Sequence, residues 1–339
     1  MEKRESIDTS ASSIEVKYVK ARMSKRIQAK IIDLFLFLVF GFLFFYAFRS
    51  LATTFPSYQK ESETLSALML DSGLYVEEDG RRVDIVTSLS KKDLSGKAKA
   101  DAYSSQIDTF ISFCGKEPYG NEEKEKTVQD NYDSYRLSVA VDDNNLFVKQ
   151  EDGTIAVNPD SKADYLVYVD KVYQPYLDGN CKSYLVTLFP AYEEANRYLA
   201  NMILFFEVPV AVLLASLLVY FVPPLIFKRN RQTIGMLIHH IGKANTELLA
   251  VPLKTYFLYS LIWNIGIVEL SLFTLGIPLI ISLTMMIATK TKQDFPDYML
   301  QLYDLDIEDN QIYYSLAEAE ESLASQKKIR DSFTMKKRN

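Results

Sequence analysis

The chain has 339 residues, of which 48% are hydrophobic and 24% are charged, and its formal net charge at pH 7 is −6. A negative net charge gives no support to nucleic-acid binding, because that function depends on an excess of Lys and Arg. The length alone would suit a soluble protein of about two domains, but the hydrophobic residues are concentrated in three long stretches, which argues against an ordinary soluble chain.

The three apolar stretches, 31–54, 197–227 and 255–289, define the class of protein. A helix that crosses a bilayer needs about 20 predominantly apolar residues, and each stretch is longer than that. For the first stretch a cleaved signal peptide is the alternative, but Ser50-Leu51-Ala52 resembles a cleavage site only loosely. We therefore expect a multi-pass integral membrane protein whose first stretch is an uncleaved helix.

The distribution of charge predicts the orientation. The segment before residue 31 and the loop 228–254 are both rich in Lys and Arg, as cytoplasmic segments are. Residues 56–196 contain 26 acidic and 15 basic side chains, a net charge of −11, whereas the rest of the chain has a net charge of +5. We expect the acidic block outside the cell membrane and both chain termini in the cytoplasm.

The predicted fold class is an α-helical integral membrane module, with three or four membrane-embedded helices, that carries an inserted, mostly helical α+β extracytoplasmic domain. The predicted segments, in order, are a basic cytoplasmic N-terminal segment (1–30), transmembrane helix 1 (31–54), the extracytoplasmic domain (55–196), transmembrane helix 2 (197–227), a cytoplasmic loop (228–254), a membrane-embedded helical hairpin or long helix (255–289) and a cytoplasmic C-terminal tail (290–339).

The polar block between the first two spans has the composition of a folded domain. It is rich in Tyr, Phe, Leu and Val, which a disordered segment would lack. Asp79-Gly80 and Asp152-Gly153 each separate two short apolar runs, the pattern of a β-hairpin. The remaining periodicity predicts helices over 57–72, 94–113, 122–138 and 161–177.

Both cysteines, Cys114 and Cys181, fall in this block. An extracytoplasmic location permits a disulfide, which would stabilise the domain by roughly 4 kcal/mol on the chain-entropy model. The alternative is two buried free thiols, since sequence does not reveal whether the side chains are close. We favour the disulfide.

The last apolar stretch, 255–289, is too long for one ordinary span, and Gly266, Gly276 and Pro278 interrupt it. It is either one long tilted helix or two helices that form a shallow or re-entrant hairpin. Lys290 follows directly, and the excess of Lys and Arg in cytoplasmic segments favours the hairpin because it returns the chain to the cytoplasm.

Asp33 opens an apolar run without another charge, Leu34–Ala47. An ionised carboxylate at the centre of a membrane helix costs about 2.5–3.5 kcal/mol, and the cost is smaller nearer the interface. Arg26, Ala29 and Asp33 share one helix face, but about 10 Å of helix rise separates Arg26 from Asp33. Each charge therefore needs a partner from another segment, a headgroup or water, and Lys30 is the nearest partner for Asp33 within the helix.

Three motifs resemble the RDD family of bacterial integral membrane proteins, which is named for one arginine and two aspartates. They are Arg26–Asp33, the Gln-Thr-Ile-Gly turn Gln232–Gly235, and Lys292–Asp297 after the last apolar stretch. The resemblance covers about 20–55 and 197–300 and implies that Arg26, Asp33 and Asp297 are the signature residues. The chain departs from the family's pattern at Met236, at Tyr298–Leu300 and in the large domain inserted between the first two spans.

The resemblance implies transport of ions or small solutes. Asp33, Glu207 and Glu269 are carboxylates within or beside the spans, and intramembrane carboxylates mark cation or proton paths or form structural pairs. The alternative for Asp33 is an ion pair with Arg26 or a loop lysine. Glu207 and Glu269 would lie near an interface if the span boundaries shifted.

No arrangement of residues predicts catalysis. His239-His240 points to two helix faces and lacks companion ligands, so we expect no metal site and no cofactor. The leading hypothesis is a membrane module that contacts lipids and moves or binds a cation or small solute. The alternative is a non-transporting anchor that presents the outer domain to an envelope protein.

Overall fold

A computed structural model describes residues 6–7, 18–141, 144–290, 292–308, 311–322 and 324–325. The described residues are 68% helical, with a few small sheets. The chain divides into two compact units, which we name the membrane unit, after its long apolar helices (Met1–Ala52 and Ile203–Asn339), and the inserted unit (Thr53–Met202).

The helices are α1 (Met23–Ala52), α2 (Pro56–Asp71), α3 (Ile85–Lys91), α4 (Gly96–Gly115), α5 (Glu122–Ser138), α6 (165–188), α7 (Pro190–Ile226), α8 (Ile234–Ile238), α9 (Leu253–Phe273), α10 (Ile277–Ala288) and α11 (Phe295–Leu300). The strands are β1 (Ser6–Ile7), β2 (Tyr18–Lys20), β3 (Tyr75–Glu78), β4 (Arg81–Asp84), β5 (Ala140–Val141), β6 (Asn144–Asn145), β7 (Phe147–Lys149), β8 (Ile155–Val157), β9 (Ile241–Ala244) and β10 (Tyr303–Asp306).

Three helices of the described chain, α1, α7 and α9, are long and apolar enough to cross a membrane. Apolar residues occur on every side of α1, and large apolar side chains such as Phe35, Phe42 and Leu43 are exposed on one side of it. A helix with this pattern is stable where its surroundings are apolar, as in lipid. These helices confirm the prediction that the module is helical and apolar enough to cross a membrane.

The last apolar stretch folds as two helices, α9 and α10, joined by a tight turn, and not as one long helix. Leu275 and Gly276 have positive φ angles of 53° and 83°, which Gly276 accommodates without steric cost. The amide of Gly276 donates to the carbonyl of Ser271, and the Ser271 hydroxyl accepts from the amide of Leu279. The turn therefore satisfies these polar groups internally, as an apolar environment requires.

A four-stranded antiparallel sheet, in the order β1-β2-β10-β9, gathers three distant segments of the membrane unit. Leu305 lies opposite Lys20 on one side and Gly242 on the other. Paired strands are about 5 Å apart. The N-terminal segment, the loop after α7 and the tail after α10 must therefore lie on the same side of any membrane that these helices cross.

The inserted unit has its own apolar core. Its largest fully buried side chains include Tyr103, Phe110, Tyr132 and Tyr176. The β3–β4 and β7–β8 pairs are antiparallel hairpins at the two Asp-Gly sequences. Helices α2, α4 and α5 occupy the predicted ranges to within two residues, and Asn121 caps α5 by accepting from the amide of Lys124.

One helix of this unit differs from the sequence prediction. The expected helix over 161–177 begins at Tyr165, after the cap residue Asp164, and α6 continues to residue 188. It continues because Cys181 and Leu185 extend the buried face beyond Leu177. Gly179 does not end the helix, since packing of this face outweighs the low helix propensity of glycine.

The two cysteines are free thiols in the structure, in place of the disulfide that the sequence favoured. Both lie in the apolar core of the inserted unit and are fully buried. Burial raises the pKa of the Cys114 thiol to about 12, and it also raises the pKa of Cys181. A thiol in such surroundings is protonated and unreactive.

We predict that a thiol reagent modifies neither Cys114 nor Cys181 in the folded protein and modifies both after unfolding without reductant. The expected result is no label in buffer and two labels per chain in denaturant, counted by mass spectrometry. If the unfolded chain takes up label only after reduction, the cysteines form a disulfide and the free-thiol arrangement is wrong.

Candidate functional site

The membrane unit brings seven charged side chains together, and we call them the ionic cluster. They come from α1, β9, α11 with its cap residue, and β10. The members are Arg26, Lys30, Asp33, Lys243, Asp294, Asp297 and Asp304. All except Lys30 are buried. Buried charges are costly unless they are paired and hydrogen-bonded, so the contacts within this set determine whether the unit is stable.

Arg26 joins the start of α1 to the C-terminal tail. Its Nε donates to Oδ2 of Asp304 at 2.7 Å, and its Nη1 donates to the carbonyl oxygen of Lys292. Asp304 lies on β10, 278 residues along the chain. Because Arg26 is a permanent cation, this buried pair fixes the membrane helix against the sheet.

Lys243 lies at the centre of the cluster. Its Nζ is 2.5 Å from Oδ1 of Asp297 and 3.0 Å from Oδ1 of Asp304, and it lies 4.8 Å from the centre of the Tyr259 ring. Burial alone lowers the pKa of Lys243, but the two carboxylates outweigh it and the pKa is raised well above its usual value. Lys243 is therefore a buried cation.

Asp294 forms the second bridge from α1. Its Oδ2 accepts from Nζ of Lys30 at 2.8 Å, and its Oδ1 accepts from the amide of Asp297, which caps α11. Burial raises the pKa of Asp294, but Lys30 and Lys243 outweigh it and the net pKa is about 2. Asp294 is thus ionised, and Lys30 also lies 4.6 Å from the centre of the Trp263 ring.

Asp33 is bound by the Gln-Thr-Ile-Gly turn. Its Oδ2 accepts from the hydroxyl of Thr233 at 2.5 Å, and its Oδ1 accepts from the amide of Gly235 at 2.8 Å. The partner therefore comes from another segment, as the helix geometry required. Lys30, the partner expected within the helix, donates to Asp294 instead.

Gly235 allows this turn to approach α1 closely. A Cβ atom at this position would collide with the carbonyl oxygen of Ala29. Ala29 is buried on the same face as Arg26 and Asp33, so the small side chain and the glycine together permit the contact. The close approach brings the amide of Gly235 within hydrogen-bond distance of Asp33.

A small cavity of about 40 Å³ adjoins the cluster. Its lining includes Arg26, Lys30, Asp33, Lys243 and Trp263. A site of roughly 10–15 Å³ on this measure holds one water molecule. The cavity therefore accommodates a few waters or one small ion, but not an organic solute.

The structure brings some of the residues predicted from sequence together. Arg26, Asp33 and Asp297 all belong to the ionic cluster, where Lys243 bridges Asp297 to the Arg26 partner Asp304. From the sequence, Lys243 was recognisable only as a basic residue of the loop 228–254, and Asp304 was not predicted as a site residue. The alternation of acidic and apolar residues in Tyr303–Asp306 is a strand pattern that could have been used, but nothing in the sequence marks its pairing with β9.

The two glutamates of the predicted ion path lie outside the cluster. Glu207 on α7 is buried, and its Oε1 is 3.2 Å from Nη1 of Arg49 near the end of α1. Its Oε2 has no donor among the described residues, and neither has Oε1 of Glu269 on α9. The described residues contain no group of three or more His, Cys, Asp or Glu placed to hold a metal ion.

Comparisons of the chain with protein-family models, with curated proteins and with solved structures found no significant match. The resemblance to the RDD family therefore rests on the three sequence motifs alone. Two of these motifs, Arg26–Asp33 and Gln232–Gly235, meet at the Asp33 contact, and the third contributes Asp294 and Asp297 to the same cluster.

We predict that Gly235→Ala destabilises the membrane unit. The added methyl group must displace the backbone of Ala29, and overpacking of this kind costs typically 1–3 kcal/mol. The measurement is the unfolding free energy in mixed micelles. Gly41→Ala is the matched control, because a Cβ there would meet only the Cβ of Ala215, at 4.0 Å. Equal stability of the two variants would contradict the close approach of Gly235 to α1.

Proposed function

We propose that this chain is a multi-pass membrane protein whose helical module binds a proton or a small monovalent cation and moves it across the membrane. The proposal follows the RDD resemblance and is supported by carboxylates within the long apolar helices. The observation that carries it is the state of Glu207 and Glu269, each of which has a buried oxygen without a hydrogen-bond donor among the described residues. Such groups are costly in lipid and usually serve ion movement or pairing.

Polar atoms recur along α9 from the cavity outward. Trp263 lines the cavity, and Oδ1 of the neighbouring Asn264 is buried without a donor among the described residues. Glu269 follows five residues later, about 7.5 Å further along the helix. Residues Ile262–Glu269 form π-helical turns, which are rare and frequently occur at functional sites. This succession supports a path for a proton or a dehydrated cation.

The size of the cavity supports an ion rather than a larger solute. Its volume of about 40 Å³ accommodates one small ion with little water. The lining holds two carboxylates that can accept a proton, Asp33 and Asp304, beside three basic side chains. We therefore narrow the proposed cargo to a proton or a monovalent cation.

Sheet pairing and charge together support the proposed orientation. The pairing of β2, β9 and β10 supports a common side for the N-terminal segment, the loop 228–254 and the tail. The first two are rich in Lys and Arg, so this side is proposed to be the cytoplasm. The inserted unit is then extracytoplasmic, and α9 and α10 enter and leave the membrane from the cytoplasmic side.

We predict that purified protein in liposomes gives cation or proton flux, which Glu269→Gln and Asp33→Asn reduce to the level of protein-free liposomes. Both substitutions remove a charge and keep the size of the side chain. The amide in Asp33→Asn still accepts from Gly235 and donates to Thr233, so folding is retained. Glu247→Gln is the control, because Glu247 is exposed on the loop.

Two outcomes would contradict this assignment in different ways. Full flux in Asp33→Asn would show that Asp33 has no role in transport and only binds the Gln-Thr-Ile-Gly turn. Absence of flux in the wild-type protein, with every ion gradient tested, would reject transport altogether.

The second candidate function is a membrane anchor that presents the inserted unit to an envelope protein. The separate apolar core of Thr53–Met202 favours it, because transport alone does not require a folded unit of this size. We predict that deletion of 57–195 preserves flux if the module is a transporter. An anchor would show no flux before or after the deletion and would lose its envelope partner, as measured by crosslinking in cells.

A further inference from the structure

The ionic cluster contains one more carboxylate than cation. Its cations are Arg26, Lys30 and Lys243, and its carboxylates are Asp33, Asp294, Asp297 and Asp304. If all seven were ionised, the cluster would have a net charge of −1. An uncompensated buried charge is unfavourable, so the protein must either bind one positive charge or neutralise one carboxylate.

The hydrogen bonds identify the carboxylate oxygen at which the cluster is incomplete. Among the described residues, both oxygens of Asp33, Asp294 and Asp304 accept from a donor. Oδ1 of Asp297 accepts from Lys243 at 2.5 Å. Seven of the eight oxygens thus have a donor from the described residues, and Oδ2 of Asp297 has none.

Asp297 is also the most completely enclosed member of the cluster. It is 0% exposed, and its amide is already bound to Oδ1 of Asp294. An ionised oxygen in this position would be removed from bulk solvent and would have no donor among the described residues. The charge count requires one neutralised carboxylate, and Oδ2 of Asp297 is the carboxylate oxygen of the cluster that has no donor among the described residues. Protonation of this oxygen would satisfy both observations.

We propose that the ionic cluster binds one proton at neutral pH and that Oδ2 of Asp297 holds it. With this proton the cluster has three cations and three carboxylates, so its net charge is zero. Asp33, Asp294 and Asp304 remain ionised, and each keeps two donors. The site takes a proton from the medium and needs no other reactant.

The groups that face Asp297 from the neighbouring elements are consistent with this assignment. Burial and then the Asp294 carboxylate raise the pKa of Asp297, and together they outweigh Lys243. Asp304 also raises it, whereas Arg26 and Lys243 hold the pKa of Asp304 itself low. Lys30 faces Asp294, and the remaining titratable neighbour is Tyr259 on α9, which faces Lys243.

A proton fits this position better than a metal ion. Nζ of Lys243 donates to Oδ1 of Asp297, and this ammonium group would repel a metal cation at Oδ2. Asp297 offers one unoccupied oxygen, whereas metal cations require several oxygen ligands. The inference does not depend on transport, because a protein that only anchors a domain would bind the same proton.

The test is infrared spectroscopy of the full chain in lipid at neutral pH, with all aspartates labelled with ¹³C. We expect the carbonyl stretch of one protonated carboxylic acid at the isotope-shifted position, which separates aspartate from Glu207 and Glu269. Asp297→Asn removes this band. Asp306→Asn is the matched control and keeps the band, since Asp306 lies on the same strand as Asp304 but outside the cluster, where it pairs with Lys25.

If the variants fail to fold, the wild-type spectrum still tests whether an aspartate of the protein is protonated at neutral pH. Absence of an isotope-shifted acid band at neutral pH overturns the proposal. A band that persists in folded Asp297→Asn also overturns it, because the proton would then belong to another aspartate.

The pH dependence of stability gives an independent readout. Because the pKa of Asp297 is raised on folding, its contribution is fully present below the unfolded value of about 3.9 and is lost as pH rises through the folded value. The wild-type unfolding midpoint should therefore fall progressively from about pH 4 up to the folded pKa, a step that Asp297→Asn lacks. The same step in both proteins would contradict proton binding by Asp297.

Discussion

Compensation of buried charge is the constraint on which the membrane unit depends. Arg26 and Asp33 lie in the first part of a 30-residue helix that is mostly apolar beyond them, and neither charge has a partner within that helix. Other segments of the unit supply these partners. Asp304, which also pairs with Lys243, binds Arg26, and the turn at Gly235 binds Asp33. Breaking a buried pair of this kind typically costs 3–5 kcal/mol, so few alternative arrangements are stable.

The same constraint organises the chain around the helices. The strand pairs of β2, β9 and β10 hold Lys243 opposite Asp304, and the α11 cap holds Asp294 beside Lys30. Segments separated by more than 200 residues therefore form one assembly at one end of α1, and the α9–α10 hairpin must return to it. The inserted unit has an independent core, which is consistent with its insertion between two helices that the assembly already holds together.

Local patterns predicted the local elements well. Uninterrupted apolar runs predicted the long helices, and Asp-Gly between short apolar runs predicted the hairpins β3–β4 and β7–β8. Single positions with unusual chemistry, such as Asp33 in an apolar helix, were also recognisable. These signals depend only on residues that are adjacent in the sequence, so they can be recognised without knowledge of the fold.

The partners in the cluster could not be predicted in the same way. Asp33 and Gly235 were each noted, but their contact spans 202 residues and depends on how the helix and the turn pack. Asp304 had no local feature that distinguishes it from an exposed acid. The end of α6 and the state of the two cysteines likewise depend on core packing, which composition and periodicity do not contain.

A double-mutant cycle on Arg26 and Asp304 tests the central claim most directly. Arg26→Met, Asp304→Leu and the double variant are unfolded in mixed micelles, and the interaction free energy is obtained from the four stabilities. The account predicts an interaction of about 1–3 kcal/mol, with the double variant more stable than the sum of the single losses would give. Effects that add to within about 0.5 kcal/mol would show that the buried pair does not hold α1 to the sheet.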